Sequence, residues 1–136
     1  MTFAGPTPCI LLVVRDARLR AGLDALLRDE GFEPVVCPGI ASLATRSGDS
    51  DEIVLLDWTM AGGLLADEQR PGLLALARRV PIVLMVPSRW ASLISEEDLG
   101  IAALLPKPFN ADALLAALRR ASLVVRSSRG HGVAGR

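Results

Sequence analysis

The stretch Asp51-Glu52-Ile53-Val54-Leu55-Leu56-Asp57-Trp58-Thr59-Met60-Ala61-Gly62 decides the fold of this 136-residue chain. Its four apolar residues in a row, from Ile53 to Leu56, are typical of a strand that is buried on both faces of a sheet. The run stops at the carboxylate of Asp57, and Gly62 and Gly63 predict a turn soon afterwards. Asp57 is therefore predicted to lie at the carboxyl end of its strand, the edge where open parallel α/β sheets bind ligands.

Four further apolar runs predict the rest of the sheet. They are Cys9–Val14 and Glu33–Cys37 before the central strand, and Pro81–Val86 and Ile101–Leu105 after it. Between the strands, apolar residues at helical spacing predict helices over 17–30, 71–79 and 90–99, a short helix around Ile40, Leu43 and Ala44, and a last helix that begins after Asn110. Right-handed crossovers between such elements predict a flavodoxin-like doubly wound fold, a five-stranded parallel sheet of order 2-1-3-4-5 with helices on both faces.

Length and composition limit what the chain can be. One domain over residues 9–126 is expected, with flexible termini at 1–8 and 127–136. Fifteen basic residues balance fifteen acidic ones, which argues against direct nucleic-acid binding by this domain through a broad basic face. No apolar run approaches the roughly 20 residues that cross a bilayer, and no signal peptide is visible, so a cytoplasmic protein without a membrane partner is expected.

The two cysteines, Cys9 and Cys37, fall at opposite ends of the first two predicted strands. If those strands pair in parallel, the sulfur atoms lie on the order of 15 Å apart, which is too far for a disulfide. Both cysteines are therefore predicted to be reduced.

Three polar residues converge only through the predicted fold. The strand order places the first and third strands side by side, so that Asp16 and Asp57 meet at one edge, and Lys107 after the fifth strand faces the same cleft. A carboxylate can act as a nucleophile and form an acyl phosphate, a Mg²⁺ ion can bridge carboxylates and phosphoryl oxygens, and lysine supplies a compact positive charge. Taken singly, each residue also has an ordinary interpretation: Asp57 bonds turn amides, Asp16 caps a helix, and Lys107 is a solvated loop lysine.

From Cys9 to about Arg126, the chain resembles the receiver domains of two-component response regulators. Four stretches carry the resemblance: Ile10–Asp16, Ile53–Trp58, Pro81–Leu84 and Leu105–Phe109. It implies that Asp57 is the phosphoacceptor, and that the donor is a sensor histidine kinase or a phosphotransfer protein. It also implies that Asp16, Asp57 and the backbone carbonyl of Thr59 hold Mg²⁺, and that Lys107 contacts the phosphoryl group. The resemblance further implies a signalling protein rather than an enzyme, a homodimer through the face of the fourth helix, fifth strand and last helix, and a cis bond between Lys107 and Pro108.

Several positions depart from the family pattern. Arg15 stands where the family has the first of two adjacent acids, Val86 where it has a threonine or serine, and Leu104 where it has a switching tyrosine or phenylalanine; Pro87 and Ala61 are further departures. At an effective dielectric near 20, each charge at a few ångströms from a metal changes the binding free energy of that metal by roughly a few kcal/mol. Arg15 is therefore predicted to weaken Mg²⁺ affinity sharply. Whether Arg15 pairs with Asp57 or reaches into solvent is open at this point.

Three functions compete. The first is a phosphorylatable receiver with an altered switch at Arg15, Val86 and Leu104. The second is a pseudo-receiver, which binds another signalling protein without phosphorylation. The third and most remote is a phosphatase with an aspartyl nucleophile, which is disfavoured because Thr59 stands where such hydrolases carry a second acid, and because no cap domain is visible.

Overall fold

Five parallel strands form the sheet in the computed structural model, which describes residues 9–39, 43, 52–57 and 70–134, and only the backbone at 70 and 124–134. The strands are β1 (Cys9–Val13), β2 (Glu33–Val36), β3 (Glu52–Asp57), β4 (Ile82–Pro87) and β5 (Ala103–Lys107). Their order is β2-β1-β3-β4-β5, and each neighbouring pair is parallel. The predicted doubly wound sheet is therefore confirmed, and both ends of every strand lie within two residues of the predicted ends.

Helices cover both faces of this sheet. They are α1 (Ala17–Asp29), α2 (Arg70–Ala77), α3 (Ser88–Ala91), α4 (Glu96–Leu99) and α5 (Ala111–Ala134). The buried side chains of α1 and α5 pack in one core cluster, and those of α2 and α4 pack in a second cluster on the opposite face. The predicted placement of helices on both faces is confirmed.

The central strand β3 explains why the sequence specifies this arrangement so strongly. All six of its residues are buried. Because side chains alternate along a strand, Ile53 and Leu55 enter the cluster of α1 and α5, whereas Val54 and Leu56 enter the cluster of α2 and α4. A strand that is buried on both faces reads as a continuous apolar run, and that run ends at Asp57 because the sheet ends there.

The single helix predicted over residues 90–99 is wrong, because two short helices, α3 and α4, replace it. Ser95 lies between them, and its Oγ accepts the N–H of Asp98 at 3.2 Å, which caps a new helix. Serine competes for backbone hydrogen bonds inside a helix and favours this capping position. Gly100 ends α4 in the left-handed conformation, with φ of 70°, as its position predicted.

The last helix begins as predicted and ends later. The Oδ1 atom of Asn110 accepts the N–H of Ala113 at 2.8 Å, which confirms Asn110 as the cap of α5. The helix then continues to Ala134, beyond Arg126, where the sequence predicted the folded domain to end. Flexible termini stay a prediction, and residues 1–8 lie outside the described part of the chain.

Two smaller predictions can be compared with the structure. Cys9 and Cys37 are not joined by a disulfide, as predicted. Most of the short helix predicted around Ile40 and Ala44 lies outside the described residues, although Leu43 is described and is buried in the core. Among the described helices, none is both long and apolar enough to cross a membrane.

Candidate functional site

The site is centred on Asp57, the last residue of β3. Only 2% of this residue is exposed, although it carries a carboxylate. It lies beside Met85 of β4 in the parallel register, at the carboxyl edge of the sheet. The end of the apolar run therefore places Asp57 at the carboxyl end of its strand, as the sequence predicted, but the residue is more buried than a reactive acid at an open edge was expected to be.

Lys107 reaches this carboxylate from the far side of β4. It is the last residue of β5 and pairs with Pro87 in the register, two strands away from β3, which is a separation of about 10 Å. The long lysine side chain spans that distance and brings Nζ to 2.8 Å from Oδ1 of Asp57. The fold thus joins two residues that are 50 positions apart in the sequence.

The carboxylate of this ion pair is shielded from water, whereas its lysine is partly exposed. The side chain of Asp57 is 3% exposed and that of Lys107 is 27% exposed. A buried carboxylate is costly unless an opposite charge and hydrogen bonds compensate it, and the ammonium of Lys107 supplies both. Lys107 is also the chain's only lysine, because every other basic residue apart from His131 is an arginine.

Asp16 lies at the same edge and caps α1. Its Oδ1 accepts the backbone N–H groups of Arg18 at 2.8 Å and Leu19 at 3.0 Å. These two hydrogen bonds hold the pKa of the Asp16 carboxyl below its usual value, and the positive charges of Arg18 and Lys107 act in the same direction. Asp16 follows β1, the strand beside β3, so it caps α1 at the same edge of the sheet that carries Asp57.

Arg15 follows the end of β1, and its side chain is exposed. Within the described residues, Asp57 pairs with Lys107 and Arg15 forms no ion pair. The Arg15 carbonyl accepts Nη1 of Arg20 at 3.5 Å, and the same nitrogen donates to the carbonyl of Val14 at 3.1 Å. Arg15 therefore reaches into solvent and does not pair with Asp57. The side chain of Arg20 bonds the backbone on which Arg15 lies.

Two of the positions predicted to be altered switch residues, Val86 and Leu104, lie on β4 and β5. Val86 is fully buried and contributes two methyl groups where a hydroxyl is expected. Leu104 is half-buried, and its backbone N–H donates to Oε2 of Glu96 at 2.7 Å. Oε1 of Glu96 also accepts Nη2 of Arg120 at 2.8 Å.

Sequence reasoning missed Arg20, Glu96 and Arg120. Arg20 could have been found, because a long basic side chain one helical turn after a cap can reach back to the end of the strand. Glu96 and Arg120 are 24 positions apart, and nothing in either local pattern predicts their contact.

The described residues meet part of the demand of a Mg²⁺ ion. The carboxylates of Asp16 and Asp57 are the hard oxygen ligands that Mg²⁺ prefers, and this ion keeps several waters when protein ligands are few. No group of three or more histidine, cysteine or acidic side chains that could hold a metal occurs in the described part of the chain. Thr59, the third expected ligand, and its neighbours Trp58 and Ala61 lie outside the described residues.

Known proteins resemble the chain in sequence and in fold. No family model matches it. It is 35% identical over 130 residues to the transcriptional activator protein PfeR of Pseudomonas aeruginosa, and the match covers 84% of this chain and 40% of that protein. The response regulator StyR superposes with a TM-score of 0.76 at 25% identity, over 96% of this chain and 66% of StyR.

Smaller solved structures match over almost their whole length. A response regulator receiver domain protein from Clostridium thermocellum gives a TM-score of 0.70 at 17% identity, covering 88% of this chain and 97% of its own. Another match is the receiver domain of the sensor histidine kinase PA1611 from Pseudomonas aeruginosa, which holds a magnesium ion in its active-site cleft. Its TM-score is 0.63 at 22% identity, and the match covers 86% of this chain and 98% of that domain. The chain is a receiver domain of the response-regulator kind. This receiver domain spans less than half the length of PfeR.

Proposed function

We propose that this receiver domain accepts a phosphoryl group on Asp57 and that its output switch is altered. The observation that carries the proposal is the shielded ion pair between Asp57 and Lys107 at the carboxyl edge of the sheet. A buried acid with a cation directed at it, in a cleft, is the arrangement expected of a reactive carboxylate. The chain uses arginine at its other strongly basic positions, yet a lysine, the more compact charge, stands here.

The reaction follows from these two side chains. An oxygen of the Asp57 carboxylate forms a bond to phosphorus while the bond from phosphorus to the imidazole nitrogen of a donor histidine breaks, and the imidazole keeps the electron pair. The ammonium of Lys107, already 2.8 Å from the carboxylate, offsets the negative charge of the phosphoryl oxygens. The protein's part is to position the acid and to supply this charge.

Asp16, Asp57 and the backbone carbonyl of Thr59 are the residues that we propose to hold Mg²⁺. When bound, the ion would supply positive charge to the phosphoryl oxygens. Arg15 stands beside Asp16 in place of an acid, so we propose an affinity weaker than that of a site with three carboxylates.

The single lysine provides a direct test of ligand binding. In protein labelled with ¹³C at lysine Cε, one signal reports on Lys107. Titration with Mg²⁺ and then beryllofluoride, a mimic of the phosphoryl group, should shift that signal with saturation, and the shift should be absent in Asp57→Asn. A signal that does not move at millimolar Mg²⁺ with excess beryllofluoride would refute the proposed site.

A second candidate function is a pseudo-receiver that binds a signalling protein without phosphorylation. Val86 favours it, because a fully buried side chain without a hydroxyl cannot hydrogen-bond a phosphoryl group. Leu104 favours it as well, because it has neither a ring nor a phenol to reorient. If partner binding is the same in wild type and Asp57→Asn, with or without a phosphodonor, this function is correct and the first is not.

The partners that we propose follow from the same assignment. The donor is a sensor histidine kinase or a phosphotransfer protein, and the domain acts in the cytoplasm on another signalling protein rather than turning over a substrate. The relative PfeR is named a transcriptional activator, and we propose a role in transcriptional control here too. Self-association through the face of α4, β5 and α5 is supported by Leu123 of α5, which is 62% exposed.

A further inference from the structure

One carboxylate joins three elements at the β5 edge of the sheet. Glu96 is the first residue of α4, and its Oε2 accepts the backbone N–H of Leu104 in β5 at 2.7 Å. Its Oε1 accepts Nη2 of Arg120 in α5 at 2.8 Å. Both oxygens are therefore engaged, one by the sheet and one by the last helix, so Glu96 links α4, β5 and α5.

The contact with Leu104 closes the edge of the sheet. β5 is the last strand, and β4 is its strand neighbour in the described sheet. Unpaired N–H groups on such an edge recruit strands from other chains. Backbone donors alternate in direction along a strand, so Pro106 lies on the same side as Leu104 and has no N–H to offer. Glu96 therefore accepts the N–H of Leu104, which points away from β4 at this edge.

Helix α4 is short, and apart from its packing against α2 few contacts hold it in place. It is four residues long, and Leu99 is its one buried residue. So short a helix is not stable by itself in water, because the first turn costs more conformational entropy than its hydrogen bonds return. Its position therefore depends on Leu99, on the caps at Ser95 and Gly100, and on the two contacts of the Glu96 carboxylate.

We propose that Glu96 is a latch that sets the conformational state of the side formed by α4, β5 and α5. With both contacts made, the edge of β5 is closed and α4 is held against the sheet. When they are lost, the N–H of Leu104, the guanidinium of Arg120 and the helix α4 become available together. A partner that requires the open state binds more weakly in proportion to the closed fraction, so the latch regulates access to this face.

The latch goes beyond phosphoryl transfer at Asp57. It acts through the backbone N–H of Leu104, and so needs neither the hydroxyl nor the aromatic side chain that the family uses. Its test is made on the unphosphorylated full chain, and the result is therefore independent of whether Asp57 is a phosphoacceptor.

Amide hydrogen exchange, measured by NMR, tests the latch. In Glu96→Ala, exchange at the Leu104 amide should be at least about ten-fold faster than in wild type, since a hydrogen bond to a charged group is lost. The amide of Ile101, which donates to the Glu96 carbonyl at 3.2 Å, should follow if α4 is released. Arg120→Met should give a smaller increase at Leu104, because the contact between Glu96 and the strand stays.

Glu97 provides the matched control, because it is the next residue of the same helix and its side chain is exposed. Glu97→Ala should leave exchange at Leu104 unchanged. The proposal is overturned if exchange in Glu96→Ala stays within about two-fold of wild type, or if Glu97→Ala has the same effect. Should Glu96→Ala fail to fold, Glu96→Gln and Glu97→Gln decide in the same way, and an increase confined to Glu96→Gln supports the latch.

Discussion

At the scale of single residues, charge at the carboxyl edge explains most of the site. Asp57 is shielded and Lys107 is its cation, whereas Asp16 is exposed and takes its hydrogen bonds from the start of α1. The two acids therefore differ in environment although they lie at the same edge of the sheet. The proposed roles follow from this difference: Asp57 as the reacting acid, and Asp16 as the cap of α1 and a ligand of the metal ion.

Asp57 and Lys107 should be coupled in their effects on the free energy of unfolding, because their side chains form an ion pair. Lys107→Met leaves the buried Asp57 carboxylate without its ammonium and should lower the free energy of unfolding by about 2 kcal/mol. In the double variant Asp57→Asn/Lys107→Met the loss should be smaller than the sum of the single losses, because the buried charge is gone. Urea denaturation of the four proteins measures the coupling, and additive losses would show that the pair contributes nothing.

The lowered pKa of Asp16 fixes the sign of its contribution with pH. The carboxyl titrates below its ordinary value of 3.8 in the folded chain, so its stabilising effect is complete above that value and is lost as pH falls through the lowered pKa. Asp16→Asn keeps a capping oxygen but does not titrate. The difference in free energy of unfolding between wild type and Asp16→Asn should be constant at pH 5 to 7 and shrink at lower pH. A difference that stays constant down to about pH 2.5 would contradict this.

Arg15 should limit the affinity for Mg²⁺. Arg15→Asp replaces a positive charge by a negative one beside Asp16, and at an effective dielectric near 20 this should tighten binding by roughly 100-fold or more. Calorimetric titration with Mg²⁺ measures the change. Arg78→Asp changes the net charge equally, but on an exposed residue just after α2, and should leave the affinity nearly unchanged. Equal effects of the two substitutions would show that net charge, not the site, is responsible.

At the scale of the elements, caps and edges decide where this chain departs from simple periodicity. The apolar spacing over residues 90–99 suits one helix. However, the Oγ of Ser95 accepts the N–H of Asp98, and this cap begins a second helix. The same break leaves α4 short enough to depend on the Glu96 carboxylate. Local capping therefore determines the structure of the sheet edge formed by α4, β5 and α5.

The cap of α5 gives a prediction at this scale. Asn110→Ala removes the acceptor of the Ala113 N–H and should lower the free energy of unfolding by about 1 kcal/mol. Asn110→Asp keeps an acceptor and adds negative charge at the start of the helix, so it should match or exceed wild-type stability. Thermal unfolding of the three proteins tests both statements, and equal stability of the alanine and wild-type proteins would disprove the first.

At the scale of the whole molecule, the sequence predicted those features that depend on long apolar runs. β3 is buried on both faces, and its run of Ile53 to Leu56 could be read directly; the strand order then brought Asp16, Asp57 and Lys107 to one edge. Contacts between side chains of distant exposed residues could not be read in this way. Arg120 meets Glu96 only because α5 and α4 flank the same strand, and neither residue interrupts an apolar pattern.

The most direct test of the account is covalent phosphorylation of Asp57. We would incubate the full chain with phosphoramidate and Mg²⁺ and measure its intact mass, with Asp57→Asn as the control. We expect a mass increase of one phosphoryl group in the wild type, none in Asp57→Asn, and faster labelling in Arg15→Asp at limiting Mg²⁺. An unlabelled wild type at saturating donor and Mg²⁺, or equal labelling of Asp57→Asn, would contradict the assignment of Asp57 as the phosphoacceptor.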